Sequence, residues 1–523
     1  VFMFIHLIPG DPARSIAGLD AEEWEVEAIR EEYGLNKPIV TQYVDYMVKL
    51  FHGDMGRSMK SDTPVTELIA DRMPQTLKLV FAGVIWAPAL GIFIGVISAI
   101  KHGKLLDHIC MLLAITGLSA PGFWLGLMGI QIFSVQLGWL PSGGLDTWKG
   151  FILPSFTMGC GIMAVLAGID RGYVTREEGL ARMERIVSFL ETADRFHGAY
   201  PHWWYGDTGR VKPFGQKDNG GDLVETAFVM QALLAVHQYY AGGSPQEKAL
   251  AARIDKLWRE VDWNFYRQGD QNVLYWHWSP EYGWEMNFPV HGYNECLIMY
   301  ILAAASPTHG VPAAVYHEGW AQNGAIVSPH QVEGIELHLR YQGTEAGPLF
   351  WAQYSFLGLD PNGLKDEYCP GYFGEMRNLT LVNRAYCIRN PKHYKGFGAD
   401  CWGLTASYSV DGYAAHAPNE GDDRGVISPT AALSSIVYTP EYSLQVMRHL
   451  YGMGDKVFGP YGFYDAFSET DNWYPQRYLA IDQGPIAVMI ENYRSGLLWK
   501  LFMSHPDVQQ GLRKLGFTFA EAD

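Results

Sequence analysis

Beyond Gly172 the apolar residues recur every three or four positions, which is the spacing of amphipathic helices. In the first such stretch, Tyr173–Asp194, the apolar positions are Leu180, Met183, Ile186, Val187 and Leu190. Thr175 followed by Glu178 predicts a capping box at its start. Comparable stretches predict helices at Leu223–Tyr240, Glu247–Phe265, Asn294–Ala305, Leu349–Leu357, Phe373–Asn390, Pro429–Gly452 and Pro485–Phe502. Strand patterns are few and short, as at Ala325–Ser328. We therefore predict a mostly α domain of paired helices, as in a helical toroid.

The first third of the chain has a different pattern, because it is strongly apolar beyond Leu77. Three segments come close to or exceed the roughly 20 residues that a membrane span needs; they are Leu77–Ile100, Leu105–Gln136 and Phe151–Ile169. The basic loop Lys101–Lys104 is expected on the cytoplasmic side. Val1–Ile8 is apolar but shorter, and we interpret it as the tail of another span. A buried helical hairpin is the alternative, but length and lack of charge favour a membrane region through residues 77–169.

Composition narrows the classes of function. A chain of 523 residues predicts two or three domains. Its net charge of -17 argues against nucleic acid as a partner, because phosphate binding needs clustered Lys and Arg. The six cysteines are scattered without C-x-x-C or zinc spacing, so we expect no metal site and no required cofactor. The 17 Trp and 30 Tyr suit pyranose rings, although core packing accounts for most of them.

The densest group of carboxylates is Asp218, Asp222 and Glu225, which follow one another at intervals of four and three. A glycine pair before Asp222 would let the backbone turn into a helix that starts there. Asp222 and Glu225 would then lie one turn apart on the same side of the helix and could act together in catalysis. A helix cap is the alternative, since this spacing is itself a capping box, and spacing alone favours the cap.

Two further carboxylates lie where a loop becomes a helix. Glu295 follows Asn294 at the start of an apolar helix, and the alternative role is to complement the helix dipole. Asp482 precedes a Gly-Pro pair and alone is typical of a cap or turn. If all three acidic sites face one end of a toroid, they supply the acid and the water-activating group of glycoside hydrolysis. The loop aromatics are candidate sugar platforms, each with a core position as its alternative: Trp203, Trp204, Tyr205, Trp276, Trp278, Trp284, Tyr293, Trp402 and Trp473.

Ordered motifs in the first third carry a resemblance to a known family. They include YGLNKPIVTQY at Tyr33–Tyr43, HGDMGRS at His52–Ser58, RMPQTLKL at Arg72–Leu79, GLSAPGFWLG at Gly117–Gly126 and QLGWLPSGG at Gln136–Gly144. From Val1 to about Leu166 the chain resembles a permease subunit of the oligopeptide and dipeptide ABC importers. The resemblance implies the bacterial inner membrane, with residues 11–75 on the periplasmic side. The pattern stops before the cytoplasmic coupling loop, so we expect neither transport nor an ATPase subunit as a partner.

A second resemblance covers Gly172 to Asp523. Its motifs are YPHWWYGDTGR at Tyr200–Arg210, DNGGDLVETAFVMQALL at Asp218–Leu234, LYWHWSP at Leu274–Pro280, GYNECLIMYILAAASP at Gly292–Pro307, GPLFWAQYSFLGLDP at Gly347–Pro361 and AIDQGPIAVMIENYRSGLLW at Ala480–Trp499. They resemble the bacterial glucoamylase-like family, which includes endo-β-1,2-glucanases. The resemblance implies an (α/α)6 barrel, a periplasmic or secreted enzyme, and hydrolysis of β-1,2-glucan with inversion. Family domains begin one or two helices before Gly172, so the ring is expected to lack its opening helices.

The second resemblance also implies roles for individual residues. Glu295 is the general acid, and Asp222 and Glu225 form the base side. Asp218 and Asp482 become substrate-binding or supporting acids. The predicted substrate-binding aromatics are Trp203, Trp204, Tyr293, Trp276 and Trp402.

We therefore predict a permease-like membrane region at 1–168 and a glycosidase domain at 169–523. The predicted function is a glycoside hydrolase acting on β-glucan, an endo-β-1,2-glucanase, fused to a truncated permease. The alternative is a permease component of a peptide importer, with the chain a join of two gene fragments. Topology separates these hypotheses, because an odd number of spans after a periplasmic start would place the barrel in the cytoplasm, where β-1,2-glucan is not expected.

Overall fold

The structure, a computed structural model, describes residues 36–37, 41–42, 44, 47, 155–206 and 208–520. The chain divides into two compact units, Val1–Phe151 and Ile152–Asp523. Two predicted spans, Leu77–Ile100 and Leu105–Gln136, lie outside the described residues, as do Val1–Ile8, the basic loop and nearly all of the permease motifs. Over the described ranges, no helix combines the length and the apolar character of a membrane span. The domain boundary at 168/169 stays a prediction.

The second unit is mostly helical, as expected. In its described part the α-helices are α1 (Ser155–Asp170), α2 (Arg176–Thr192), α3 (Leu223–Tyr240), α4 (Pro245–Arg259), α5 (Leu297–Ala305), α6 (Tyr372–Arg389), α7 (Pro429–Leu433), α8 (Pro440–Gly452), α9 (Ala480–Ser495), α10 (Leu497–Met503) and α11 (Pro506–Lys514). The strands are β1 (Gly221–Asp222), β2 (His277–Trp278), β3 (Val327–Val332), β4 (Ile335–Leu339), β5 (Ala406–Ser409), β6 (Gly412–Ala415), β7 (Phe458–Gly459) and β8 (Gly462–Phe463). They pair in chain order as two-stranded antiparallel sheets.

Helix α1 corrects one prediction. The third candidate span, Phe151–Ile169, coincides with α1, which has only 16 residues and packs against α3 and α9. Its Ile162, Met163 and Leu166 are buried. A helix enclosed by other helices is as apolar as a membrane span, so the hydropathy pattern could not separate the two. The prediction of a span at Phe151–Ile169 is therefore wrong, and this helix belongs to the core of the second unit.

Helix α3 lies at the centre of this unit, where it contacts α1, α4, α5 and α10. Nearly all of its 18 residues are buried, including the polar Gln231. Gln231 is accommodated because its Nε2 donates to the Tyr354 carbonyl at 3.2 Å and its Oε1 accepts from the Gly358 N–H at 2.7 Å. A helix buried on all sides needs no polar face, and the bounds of α3 coincide with the predicted Leu223–Tyr240.

Most other predicted helices are present, with shifted ends. The capping box of Thr175 and Glu178 at the start of α2 is confirmed. Leu349–Leu357 forms two short 3-10 turns instead of one helix. Pro429–Gly452 is divided into α7 and α8, and Pro485–Phe502 into α9 and α10. The second division falls at Gly496, whose φ of +68° is a conformation that glycine adopts readily and that ends a helix.

Candidate active site

Asp222 is held at the junction of β1 and α3. It is the N-cap of α3, and its Oδ1 accepts a hydrogen bond from the Glu225 backbone N–H at 2.9 Å. The indole Nε1 of Trp276 donates to its Oδ2 at 3.0 Å. In the β1–β2 pair Asp222 lies opposite His277, so the strand register brings an imidazole beside the carboxylate. Asp222 therefore forms the cap favoured by the spacing, but the cap uses only Oδ1. Its Oδ2 is available to the other side chains of the site.

The glycine pair before Asp222 is required by close packing. A Cβ on Gly220 would lie 2.1 Å from the Trp278 carbonyl oxygen, and one on Gly221 would lie 1.8 Å from the Tyr266 hydroxyl. Neither glycine has a positive φ, but the chain bends at Asn219 and Gly220, directly before β1 and the start of α3, as predicted. The absent side chains also let Gly220 approach β2 and Gly221 approach Tyr266.

His202 joins the carboxylates into one network. Its Nδ1 lies 3.2 Å from Asp222 Oδ2 and 3.5 Å from Asp218 Oδ2, and its Nε2 lies 3.7 Å from Glu225 Oε1. Although burial opposes a charge here, hydrogen bonding with Asp218 and Asp222 raises the pKa of His202 well above its usual value. In turn, His202 and His277 hold the pKa of Asp222 below its usual value against the effect of burial. The network therefore contains an imidazolium and an ionised Asp222 at neutral pH.

Glu225 and Glu295 have pKa values shifted in the opposite direction. Burial raises the pKa of Glu225 well above its usual value, and the charges of Asp222, Asp218 and Glu295 add to the shift. Burial and the charge of Asp222 raise the pKa of Glu295 to about 7, although hydrogen bonding with the Trp351 side chain opposes this. Within the described ranges, the buried Oε2 of Glu225 has no hydrogen-bond partner. These mutual effects show that Glu225 and Glu295 both lie close to Asp222.

Asp482 lies in the first turn of α9 and forms a buried pair with Asp465. Burial raises the pKa of Asp482 well above its usual value, and the adjacent Asp465 adds to this. Asp465 also accepts a hydrogen bond from the Tyr408 backbone N–H at 2.9 Å. Burial also raises the pKa of Asp465, so the pair keeps a proton to higher pH than an isolated aspartate does. Partial burial together with the charges of Asp482, Asp465, Glu225 and Glu295 raises the pKa of Tyr413, so this tyrosine of β6 lies near both acidic groups.

The predicted aromatic residues divide into two groups. Trp203 and Trp276 are half-buried at the cleft. Trp203 belongs to a stack in which Phe214 lies 4.2 Å from the His202 ring at 9° and 6.0 Å from the Trp203 ring at 5°. Phe214 is 54% exposed. The half-buried rings can still offer a face to a sugar.

The second group of aromatics is buried in the core: Trp204, Tyr293 and Trp402. Trp204 donates from Nε1 to the Asp194 carbonyl at 3.3 Å and packs edge-on against Phe189. The Tyr293 hydroxyl lies 3.1 Å from Met376 Sδ. Because these three rings are buried, the structure does not expose them to a ligand.

Two groups of side chains in the described part have donor atoms within 4.8 Å of one another, close enough for one metal ion. The first is His202, Asp218, Asp222 and His277. Its Asp222 Oδ2 already accepts a hydrogen bond from Trp276, and both imidazoles face carboxylates, so these contacts are those of a charge network. The second group lies among other residues of the unit: Cys401, His449 and Glu469. The absence of a metal and of a cofactor stays a prediction.

Four residues of the cleft were not predicted from the sequence: His202, His277, Asp465 and Tyr413. The two histidines lie within motifs rich in aromatics, Tyr200–Arg210 and Leu274–Pro280, and a histidine there was an available signal. Asp465 and Tyr413 lie in loop and hairpin segments without a local motif. Only the folding of those segments brings them to the cleft.

A helical unit with carboxyl groups of raised pKa in one cleft has the groups that acid/base hydrolysis needs. Residues 287–506 match the family model described as putative glucoamylase. The unit is similar to a putative glucoamylase from Bacteroides caccae, with 86% identity over 73% of this chain and 91% of that one and a TM-score of 0.70. It is also similar to an endo-β-1,2-glucanase from Chitinophaga pinensis, with 66% identity over 73% of this chain and 90% of that one and a TM-score of 0.70. The chain belongs to this glucoamylase-like family.

Curated relatives match each region separately. An exo β-1,2-glucooligosaccharide sophorohydrolase of Parabacteroides distasonis is 45% identical over 375 residues, which are 68% of this chain and 52% of that protein. Residues 1–80 match the N-terminal model of binding-protein-dependent transport membrane components. The glutathione transport system permease protein GsiC of Pectobacterium atrosepticum is 46% identical over 171 residues, 33% of this chain and 56% of that protein. Both resemblances are confirmed, and the chain spans about half the length of the curated relatives it matches.

Proposed function

We propose that the helical unit is an endo-β-1,2-glucanase that hydrolyses its substrate with inversion, on an (α/α)6 toroid. The observation that carries this proposal is the pKa of about 7 of Glu295 beside the ionised Asp222. Support for the substrate comes from the endo-β-1,2-glucanase that is 66% identical and from the sophorohydrolase that is 45% identical. Both of those proteins are named for action on β-1,2-linked glucose.

Glu295 acts as the general acid. A carboxyl group with a pKa near neutrality is still protonated when substrate binds and can give its proton to the glycosidic oxygen as the bond breaks. Its backbone is fixed because the Ser355 hydroxyl donates to the Glu295 carbonyl at 2.5 Å. Trp351 lies against the carboxyl group and stabilises the anion that remains after proton transfer.

Asp222 and Glu225 form the base side, with different tasks. A base must be ionised, and His202 and His277 keep Asp222 in that state. Glu225 is protonated because of its raised pKa, and its free Oε2 is placed to hold the attacking water or a sugar hydroxyl. Asp218 supports the charge of His202, and the Asp482–Asp465 pair binds substrate hydroxyls from the far side of the cleft, near Tyr413.

For the N-terminal third we propose a location in the bacterial inner membrane, and for the glycosidase a periplasmic substrate. A peptide-importer permease is the second candidate function, favoured by the 171-residue match to GsiC. A stable complex of the full chain with an importer ATPase subunit would support transport. We expect no such complex, because the sequence pattern of a coupling loop is absent.

The deciding experiment is product formation from linear β-1,2-glucan by the full chain. We expect oligosaccharides of several lengths, whose new reducing ends appear first as the α-anomer by NMR. Glu295→Gln should lower kcat by about 100-fold or more, because general acid catalysis contributes about 10²–10⁴. The matched control is Glu336→Gln, an exposed glutamate of β4, with unchanged kcat.

The outcome can also refute the proposal. Release of sophorose alone from chain ends would replace the endo assignment by an exo one. A β-anomer as first product would exclude inversion. A folded chain that is inert on this glucan, with normal near-ultraviolet circular dichroism, would exclude the substrate.

A further inference from the structure

A second cluster of reactive side chains lies among residues that the proposed hydrolysis does not use. Cys401 follows α6, His449 lies in the last turn of α8, and Glu469 lies in a turn after β8. One sulfur, one ring nitrogen and one carboxylate oxygen from these residues lie within 4.8 Å of one another. Three segments far apart in the sequence therefore converge on one point.

The backbone around the cluster holds each of these side chains in position. The Gly398 N–H donates to the Cys401 carbonyl at 2.9 Å, which fixes the loop of the cysteine. The Glu469 turn is closed by Ser468 and Trp473, whose backbones exchange two hydrogen bonds of 2.9 Å. Cys401 is fully buried, while His449 and Glu469 are half-buried, so an ion could enter from the side of the latter two.

The carboxylate of Glu469 packs against Gly396. The φ of this glycine is +83°, and a Cβ there would lie 2.7 Å from Glu469 Cδ and Oε1. The glycine therefore makes room for this carboxylate. The Lys395 N–H also donates to the Thr470 hydroxyl at 2.8 Å, which ties the two loops together beside the cluster.

His449 is oriented as a metal-binding histidine usually is. Its Nδ1 lies 3.3 Å from Asp400 Oδ2, and a carboxylate on the far ring nitrogen is the common partner of a metal ligand. In the described part of the chain, its buried Nε2 has no hydrogen-bond partner. A buried polar atom without a partner is costly, and a ligand at this point would satisfy it.

The donor set identifies the ion. A thiolate, an imidazole and a carboxylate together suit Zn²⁺, whereas Mg²⁺ and Ca²⁺ prefer oxygen ligands only. We propose that Cys401, His449 and Glu469 bind one Zn²⁺ ion, with Asp400 orienting His449. Three protein ligands leave a fourth position for water. No sequence spacing marks this site, because its ligands come from three separate segments.

The local charge also suits a cation. Glu469 contributes a carboxylate to the cluster, and the Asp400 carboxylate lies 3.3 Å from His449 Nδ1. A divalent ion offsets the repulsion between these carboxylates and displaces the thiol proton on binding. The ion joins the end of α8 to two loops and should stabilise the folded state over the unfolded one.

The test is a titration of the metal-stripped full chain with Co²⁺, which replaces Zn²⁺ and reports its ligands by colour. A thiolate ligand gives an intense near-ultraviolet charge-transfer band, and the active-site group of histidines and aspartates contains no sulfur. We expect this band in the parent, its loss in Cys401→Ser, and its bleaching when Zn²⁺ is added. The matched control Cys369→Ser, at another buried cysteine, should keep the band.

Two milder variants protect the test from a folding defect. His449→Gln and Asp400→Asn, the latter at an exposed site, should each keep the fold and weaken Co²⁺ binding. For Asp400→Asn we expect a loss of about 10-fold in affinity, because Asp400 orients a metal ligand without binding the metal itself. A parent chain without the band, or a band that persists in Cys401→Ser, would overturn the proposal. Unchanged Co²⁺ affinity in a folded His449→Gln would overturn it as well.

Discussion

Trp276 donates a hydrogen bond from its indole Nε1 to Oδ2 of Asp222 over 3.0 Å. The same oxygen lies 3.2 Å from His202 Nδ1, so the indole helps to position the carboxylate within the charge network. We expect Trp276→Phe to lower kcat by about 10-fold or more with little change in KM, because a hydrogen bond to a charged group contributes about 1.5–3 kcal/mol.

The matched control for that variant is Trp258→Phe. Trp258 Nε1 donates to the Asp507 carboxylate at 2.9 Å, away from the named cleft residues. Its loss should lower the melting temperature and leave kcat unchanged. Equal effects of both variants on kcat would show that Trp276 acts only through stability.

The pKa of Glu295 predicts the alkaline side of the pH profile. As general acid, Glu295 must be protonated, so kcat/KM should be full below its pKa of about 7 and fall as pH rises through that value. In Trp351→Phe the ionised form loses a hydrogen bond, and the falling limb should move upward by about one pH unit. Trp320→Phe, a buried core tryptophan, should leave the limb in place. A limb that does not respond to Trp351 would assign the titration to another group.

The Asp482–Asp465 pair predicts how stability depends on pH. The folded-state pKa of Asp482 is raised above the unfolded value of about 3.9. Its contribution to stability is therefore fully present below that value and is lost as pH rises through the folded-state pKa.

Asp482→Asn keeps a donor for Asp465 and cannot ionise. Urea unfolding should show that the variant gains stability relative to the parent as pH rises above about 4, the unfolded-state pKa of an aspartate. The exposed Asp411→Asn, in the β5–β6 turn, should follow the parent at every pH. Parallel curves for Asp482→Asn and the parent would exclude the shared proton.

The burial of helix α1 predicts that a stable fragment of the second unit must include this helix. A fragment of residues 152–523 keeps Ile162, Met163 and Leu166 in the core, whereas a fragment of residues 172–523 loses them. Removing three such side chains should lower the free energy of unfolding by roughly 5 kcal/mol or more, measured by urea denaturation. Equal stability of the two fragments would show that α1 is dispensable.

The shorter fragment also loses Arg171, whose Nε donates to Glu491 at 2.7 Å. Glu491 is only 3% exposed, and hydrogen bonds from Arg171 and Ser495 hold its pKa below its usual value against the effect of burial. Arg171→Met in the longer fragment removes the ion pair while α1 stays buried. The change in melting temperature of this variant therefore measures the ion pair alone. Its control is Arg389→Met, which removes an exposed pair with Glu333 and should change the melting temperature little.

The helical pattern predicted from the sequence was reliable where apolar residues recur every three or four positions along a whole segment. The start of α2 with Thr175 and the bounds of α3 were both predicted correctly. The pattern could not show that α1 is enclosed by α3 and α9, because burial by protein and burial by lipid select the same residues. It also missed the divisions after α7 and α9, where tertiary packing and Gly496 end a helix.

Most carboxylates of the candidate site were predictable from the sequence, whereas its histidines and Asp465 were not. Asp222, Glu225 and Glu295 stand at helix starts, so local spacing exposed them. His202 acts only through its distances to three carboxylates, and Asp465 only through its pairing with Asp482, and neither relation has a sequence period. Trp204 and Trp402 were predicted as sugar platforms because composition cannot tell a loop ring that packs inward from one that stays at the surface.

The Phe214–His202 stack has a consequence for the orientation of the imidazole. With the rings 4.2 Å apart and nearly parallel, the imidazole cannot rotate about its own axis without breaking the stack. Each nitrogen is therefore tied to a fixed destination, Nδ1 to the aspartates and Nε2 to Glu225. Phe214 thus holds the imidazolium in one orientation, so its two N–H groups face the aspartates on one side and Glu225 on the other.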